Sequence, residues 1–384
     1  MMARTVFRVI VLLVLALAGC ATAPPAPPAT AARPPDAPPA PSPAPVPVTP
    51  PATASAPGAP SALERGRALS ARGDMVAAAA AFREAVRAQP DLVEARAGLG
   101  AALAAVGDLD AAVEELRAGL RRQPDALPLR LALARVLVAR QEWPAAREEL
   151  ERVLAAQPDA LDARYSLGIV RYAQGDVAGA IEAYRRVLAA EPAQVDARYS
   201  LALVLKLAQR DAEATPEFVT AAEAGHARAQ YFAGAAYAGG LGVPRDPAAA
   251  VAWWFRAADQ GVPQAAQALA QLRQVALGRS RRPPAETQAA AQAFADYRAT
   301  LAAQFPDVTP AGDESLGAAL LRLGRTSEAV PVLIREAAAL SEPAARQLET
   351  LYEQGLDGQL PARDARILAY LQSAAAEGRR PPIR

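Results

Sequence analysis

Four prolines, Pro90, Pro124, Pro158 and Pro192, follow one another at a constant step of 34 residues. Other positions keep that step. Ala163-Arg164-Tyr165-Ser166-Leu167-Gly168 returns as Ala197-Arg198-Tyr199-Ser200-Leu201-Ala202, and Gly-Asp pairs stand at Gly73-Asp74, Gly107-Asp108 and Gly175-Asp176. One small unit is being copied, and a unit this short cannot bury its own apolar face, so its copies must stack. The glycines suit a helix end and the aspartates suit the next helix start, so each unit reads as helix, turn, helix. Small residues recur where two helices must approach: Gly66, Gly100, Ala134, Gly168 and Ala202 in the first helices, and Ala78, Ala112, Ala146, Ala180 and Ala214 in the second. Large apolar partners, Phe82, Leu116, Leu150, Tyr184 and Phe218, stand four residues after the second set. Composition agrees with this reading: the chain is 52% hydrophobic but only 5% aromatic, and it is built mainly from good helix formers.

On these positions the chain resembles the tetratricopeptide repeat family over 61–221. It departs from that family where a first-helix tryptophan is usual, holding Arg96, Arg130, Arg164 and Arg198 instead. The expectation is that their stems cover apolar surface while the guanidiniums stay in water. At residue 222 the period lengthens: Ala222-Glu223-Ala224-Gly225 returns as Ala258-Asp259-Gln260-Gly261, with Tyr231, Tyr237, Gly240-Leu241-Gly242, Asp246, Ala250 and Trp253 between them. This segment is similar to the Sel-one-like repeat family over 222–277. His226 falls at the start of its first helix, where it suits a local capping role, and Trp253 matches the family's core position. Residues 278–309 read as a loop and a helix, of uncertain repeat type, whose apolar pattern runs through Phe294, Tyr297, Leu301 and Phe305. Residues 310–343 fit the 34-residue template with an unusual Pro331 that should bend the second helix, and 344–384 look like a degenerate Sel-one-like unit and tail. The fold class expected is all-α: a right-handed α-solenoid of helix-turn-helix repeats, continuous through most of the chain after residue 60.

What precedes the repeats has a different chemistry. Arg4 and Arg8, the apolar run Val9–Leu17 and then Ala18-Gly19-Cys20 have the layout of a secretory signal. The apolar run is far shorter than the roughly 20 residues that span a bilayer as a helix. Leu17-Ala18-Gly19-Cys20 resembles the lipobox of bacterial lipoproteins, which implies 1–19 as signal peptide, cleavage between Gly19 and Cys20, and lipid on Cys20. Several acyl chains would hold the protein far more firmly than one. Ala21 stands where an aspartate would signal inner-membrane retention, so the resemblance implies the outer membrane and its periplasmic face. From Pro24 to Pro60, 16 of 37 residues are proline. The segment 20–60 is therefore expected to be an extended, disordered tether reaching on the order of 110 Å.

Several functions lack their parts. Net charge is +1, so no basic field exists to hold nucleic acid. The only cysteine is Cys20 and the only histidine is His226, which leaves no material for a disulfide, a zinc site or a histidine-based triad. No metal, cofactor, catalytic residue or small-molecule substrate is expected. What remains is binding of other proteins along the face lined by first helices. Its positions fall at Ala97, Leu131, Tyr165 and Tyr199, at Ala101, Arg135, Ile169 and Leu203, and at Ala104, Val138, Tyr172 and Lys206. Tyr165, Tyr172, Tyr199, Lys206 and Arg135 are the groove candidates, because tyrosine offers large area and a polar tip at low entropy cost. Tyr165 and Tyr199 have a second role open to them, packing on the neighbouring repeat. Trp254 and Phe255 form a secondary candidate, with core packing as the alternative. The combined resemblance implies a non-catalytic scaffold with envelope proteins as partners and the membrane reached through its lipidated N-terminus. Lipoproteins that mix the two repeat types include the scaffold of alginate-type exopolysaccharide export; pilus-assembly pilotins and adaptors of peptidoglycan enzymes are the alternatives.

Overall fold

The computed structural model describes residues 61–356 and 358–380. Gly19, Cys20 and the proline-rich segment lie outside the described residues. All regular structure among the described residues is helical, apart from one isolated bridge between Leu356 and Leu360. Contacts divide the chain into two compact units that meet between Ala190 and Glu191. The first holds α1 (Ala62–Ala71), α2 (Met75–Ala88), α3 (Val93–Ala105), α4 (Leu109–Arg122), α5 (Leu127–Ala139), α6 (Trp143–Ala156), α7 (Leu161–Ala173) and α8 (Val177–Ala190). The second holds α9 (Val195–Leu207), α10 (Asp211–Glu223), α11 (Ala227–Gly239), α12 (Pro247–Asp259), α13 (Pro263–Ala276), α14 (Pro284–Ala302), α15 (Leu316–Arg322), α16 (Thr326–Ala338), α17 (Glu342–Gln354) and α18 (Ala365–Ala376). The protein is an all-α solenoid of helix-turn-helix repeats.

Each pair closes on a small residue. A Cβ placed on Gly168 would stand 2.7 Å from the ring of Tyr184, and one on Gly66 would stand 2.6 Å from Phe82. The large partners Phe82, Leu116, Leu150, Tyr184 and Phe218 are all buried, as are the five alanines one turn before them. That density is what a repeat needs to turn a narrow apolar stripe into a core.

The turn between paired helices uses one backbone conformation. Gly73, Gly107 and Gly175 have φ of 80°, 87° or 89°, a region L-residues enter at a cost of roughly 1–2 kcal/mol. Asp74 and Asp108 then accept the N–H of Ala77 (3.0 Å) and Ala111 (3.2 Å), and Asp176 accepts that of Gly179 (2.8 Å). In the third and fifth repeats the same left-handed position holds Gln141 (φ 61°) and Gln209 (φ 60°). The residues that follow them, Glu142 and Arg210, make no side-chain cap bond. These two turns have lost the glycine and the cap together.

The arginines at the usual tryptophan position turn to protein partners, Arg96 as a buried group and Arg130, Arg164 and Arg198 as partly exposed ones. Arg96 is 7% exposed; it donates to the Pro90 carbonyl (3.0 Å) and to Glu115 (2.9 Å). Arg130 repeats this with Pro124 (2.6 Å) and Glu149 (2.7 Å), and in the second unit Arg198 repeats it with Pro192 (2.7 Å) and Glu217 (2.6 Å). Arg164 reaches the Pro158 carbonyl in the same way, but Ala183 occupies the position of the glutamate. One guanidinium thus ties the turn before a first helix to the second helix after it. The expectation of a solvated head fails for Arg96; Arg130, Arg164 and Arg198 stay partly exposed while a recurring carbonyl, and for Arg130 and Arg198 a carboxylate, accept from them.

In the second unit the loop after α11 folds back on α10. Gly242 (φ 71°) passes so close that a Cβ would lie 2.3 Å from the Asp211 carbonyl oxygen, and the Thr215 hydroxyl donates to the Leu241 carbonyl at 2.7 Å. α14 ends at Ala302, so Phe305 lies beyond the helix rather than within it; Pro306 follows and disfavours the helical conformation of the residue before it. α16 runs on through Pro331 to Ala338. The buried Glu336 of α16 accepts the N–H groups of Leu316 (3.0 Å) and Gly317 (2.9 Å), fixing the start of the short α15. Arg273 on α13 is bidentate to Glu377, 104 residues away, at 2.7 and 2.5 Å, with both side chains buried. Burial alone would raise the Glu377 carboxyl, but Arg273 and Arg379 hold it below the usual carboxylate range.

Two outcomes follow for stability. Arg96→Ala should cost about 2 kcal/mol, the scale of a hydrogen bond to a charged group, and Arg164→Ala should cost less for want of a carboxylate partner; urea midpoints of the two variants give the order directly. Gln141→Gly should stabilise by about 1 kcal/mol by relieving the left-handed turn. A lower midpoint for that glycine variant would contradict the account of the turn.

Candidate functional site

The first helices of the lower-numbered repeats leave a set of positions reachable from solvent. On α3 Ala97 is half-buried and Ala101 exposed; on α5 Leu131 is half-buried and Arg135 exposed; on α7 Tyr165 is half-buried. Arg135 reaches Asp162 on α7 at 2.9 Å, both ends about half exposed. Arg67 on α1 pairs with Glu94 on α3 at the same 27-residue offset. This pair and Asp162 were missed in the sequence, although the repeat register places an arginine and an acid on facing first helices. Tyr165 keeps one side against the ring of Tyr184, 5.6 Å between centroids, while remaining half-buried.

Other groove candidates sit elsewhere. Tyr172 is buried on α7, and that burial pushes its phenol up from the ordinary value. Tyr199 is 1% exposed, so it lines no open face: its ring stacks on His226 at 4.2 Å and meets Phe218 at 6.0 Å and Phe232 at 6.2 Å. The reason is local, since α11 and its N-cap bring the Phe232 ring and the His226 imidazole over this side chain. Lys206 is partly exposed and stands 3.5 Å from Asp211. Ile169, Leu203 and Val138 are buried as well.

The secondary candidate is core. Trp254 is 8% exposed, its indole N–H donates to the Tyr231 carbonyl at 3.2 Å, and its ring fills the space left by Gly234. Phe255 stacks on Tyr297 at 4.7 Å. Trp253, expected in the core, is instead the half-buried one and lies under the Arg256 guanidinium at 4.7 Å. The core alternative thus holds for Trp254 and Phe255, closed by Tyr231 and Gly234 of α11 and by Tyr297 of α14, and Trp253 departs from the core position expected of it.

His226 caps α11, its Nδ1 accepting the Ala229 N–H at 3.1 Å. Burial lowers its pKa from the usual 6.5, against a pull upward from Asp196, 3.9 Å from Nε2. Among the described residues no three His, Cys, Asp or Glu side chains gather as a metal site, and no helix is long and apolar enough to cross a membrane.

These features define a helical-repeat protein whose accessible side chains are arranged for contact. Tetratricopeptide repeat profiles match residues 69–128, 131–194 and 166–227, and a Sel1 repeat profile matches 227–262, so the chain carries both kinds of repeat. No enzyme family is among the matches. Comparison with curated proteins gave no match. Among solved structures, MamA protein is 26% identical, over 42% of this chain and 88% of its own, with a TM-score of 0.36. TTC0263, a thermophilic TPR protein of Thermus thermophilus, is 23% identical over 42% and 89%, with a TM-score of 0.39. YrrB, a TPR protein with an unusual peptide-binding site, is 23% identical over 50% and 98%, with a TM-score of 0.38.

The depressed His226 pKa has a pH consequence. The unfolded chain binds this proton more readily than the native one, so the contribution is complete above about pH 6.5 and falls away as pH drops through the native value. As the only histidine, His226 gives one imidazole titration by NMR, expected to lie below 6.5. His226→Asn, which keeps a cap, should flatten stability against pH just below 6.5; an unchanged slope would contradict the assignment.

Proposed function

We propose that this protein is a non-catalytic scaffold for protein assembly, lipid-anchored through Cys20 at the periplasmic face of the outer membrane and serving an exopolysaccharide-export complex. The observation that carries the scaffold reading is the accessible first-helix face of the first unit, where Leu131, Arg135 and Tyr165 are presented on successive repeats. An arginine and a tyrosine beside small apolar residues are the composition of binding hot spots. Both ends of the Arg135–Asp162 pair are open to water, so a partner can replace it at little cost. The anchoring part rests on Leu17-Ala18-Gly19-Cys20, and the export part on the mixture of two repeat types in one chain.

Two experiments test it. In cells expressing the full chain, labelled palmitate should enter the wild type and be lost with Cys20→Ser, which should also move the protein out of the outer-membrane fraction. Pull-down from detergent extracts should recover outer-membrane export components with the wild type. Combining Arg135→Glu with Tyr165→Ala should reduce their recovery roughly tenfold or more, the effect of losing one or two hot-spot residues. An unchanged partner set would remove this face as the binding site.

A further inference from the structure

Within the second unit, the ends of α13, α16 and α18 and the start of α17 enclose a cleft of about 110 Å³. Its walls include the apolar Leu277, Ala337, Leu340 and Ala345, and they carry Arg279 at the exposed rim and the more buried Arg379 and Arg380 beside Glu342. We propose that this cleft binds a carboxylate carried on a short apolar arm. The proposal is independent of the scaffold reading, since none of these residues belongs to the first-helix face of the first unit.

The cleft already shows how a carboxylate is held. Arg380 grips Glu342 in a two-pronged arrangement, NH1 to Oε1 at 3.2 Å and NH2 to Oε2 at 2.9 Å, the geometry that suits a planar guanidinium to a planar anion. Arg379 is fixed by Glu377 at 2.9 Å and lies 5.7 Å above the Tyr370 ring. Arg279 uses NH1 on the carbonyls of Glu377 (3.3 Å) and Gly378 (3.0 Å). Its Nε and NH2 have no partner among the described residues, so one guanidinium edge at the rim is open.

Charge and size narrow the ligand. Arg273, Arg279, Arg346, Arg379 and Arg380 stand against Glu342, Glu349 and Glu377, which leaves the surroundings of the cleft positive and favours an anion. At about 110 Å³ the cleft is smaller than the roughly 150 Å³ cavity known to take up benzene, which suits a short aliphatic arm. Such a group occurs as a free short-chain acid or as the C-terminal residue of a polypeptide ending in an aliphatic side chain.

Titration of the full-length protein in detergent tests this, with isovalerate, with acetyl-Gly-Ser-Gly-Leu as its free acid, and with the same peptide as its C-terminal amide. Either acid should bind and the amide should not; binding of isovalerate alone assigns a free acid, and binding of the peptide acid assigns a polypeptide terminus. Arg279→Gln, on an exposed side chain, should weaken binding roughly tenfold, the loss of a charged hydrogen bond. Glu342→Gln should act in the opposite direction and tighten it several-fold, because it releases the Arg380 fork. Circular dichroism of both variants controls for folding, and opposite shifts from two independent positions do not arise from a folding defect. Failure of both acids to bind, equal binding of the amide, or affinities unmoved by both variants would overturn the proposal.

Discussion

The guanidinium that joins a proline turn, a first helix and a second helix determines how each repeat is built. An aromatic ring at that place would hold the pair by area alone, indifferent to small rotations. Arginine holds it by direction, because a carbonyl and a carboxylate must both lie in the plane of the fork. The partners recur with the period: Pro90 with Glu115, Pro124 with Glu149, Pro192 with Glu217. Such pairs add modest net stability because desolvation offsets much of their attraction, and their better-attested use is to fix register. Close approach at Gly66, Gly100 and Gly168 then supplies the apolar contact that register makes possible.

The same device explains why the repeats are not equivalent. The repeat that lacks a glutamate for its arginine, at Ala183, has a glycine turn and a capping aspartate at Gly175-Asp176. The third repeat lacks the glycine and the cap at Gln141-Glu142 but has a complete clamp at Arg130. Weak points are thus spread along the first unit rather than gathered in one copy. In a stack where each copy depends on its neighbours, this avoids a single place of easy opening.

Local chemistry was legible in the sequence and distant pairing was not. Glycine turns, aspartate caps and small helix-contact residues depend only on positions a few residues apart, and the 34-residue period marks them. Tyr199 takes the packing role left open for it rather than the groove role, because His226 and Phe232, which cover it, lie 27 and 33 residues on, in a repeat of a different length. Trp253 and Trp254 are adjacent on one helix, and which of them is buried depends on Tyr231 and Gly234 of α11, 23 and 20 residues earlier. Leu131, Arg135 and Tyr165 kept their expected accessibility, whereas Val138, Ile169 and Tyr172 on the same helices and in the same period are buried, so the period alone does not give the open face. The Arg279–Arg380 cleft had no sequence signal, since its walls are separated by about a hundred residues.

The pair between Arg273 and Glu377 sets an order of events. Contacts in the first unit join neighbours within one or two repeats, so its helices can settle as the chain emerges from a ribosome or a translocation pore. Arg273 cannot find its partner until 104 more residues have passed, and loops of that length close late. Until then a guanidinium destined for the interior must stay solvated, and α13 lacks the group that neutralises it. The second unit therefore depends on a pairing across 104 residues, while the first is joined neighbour to neighbour.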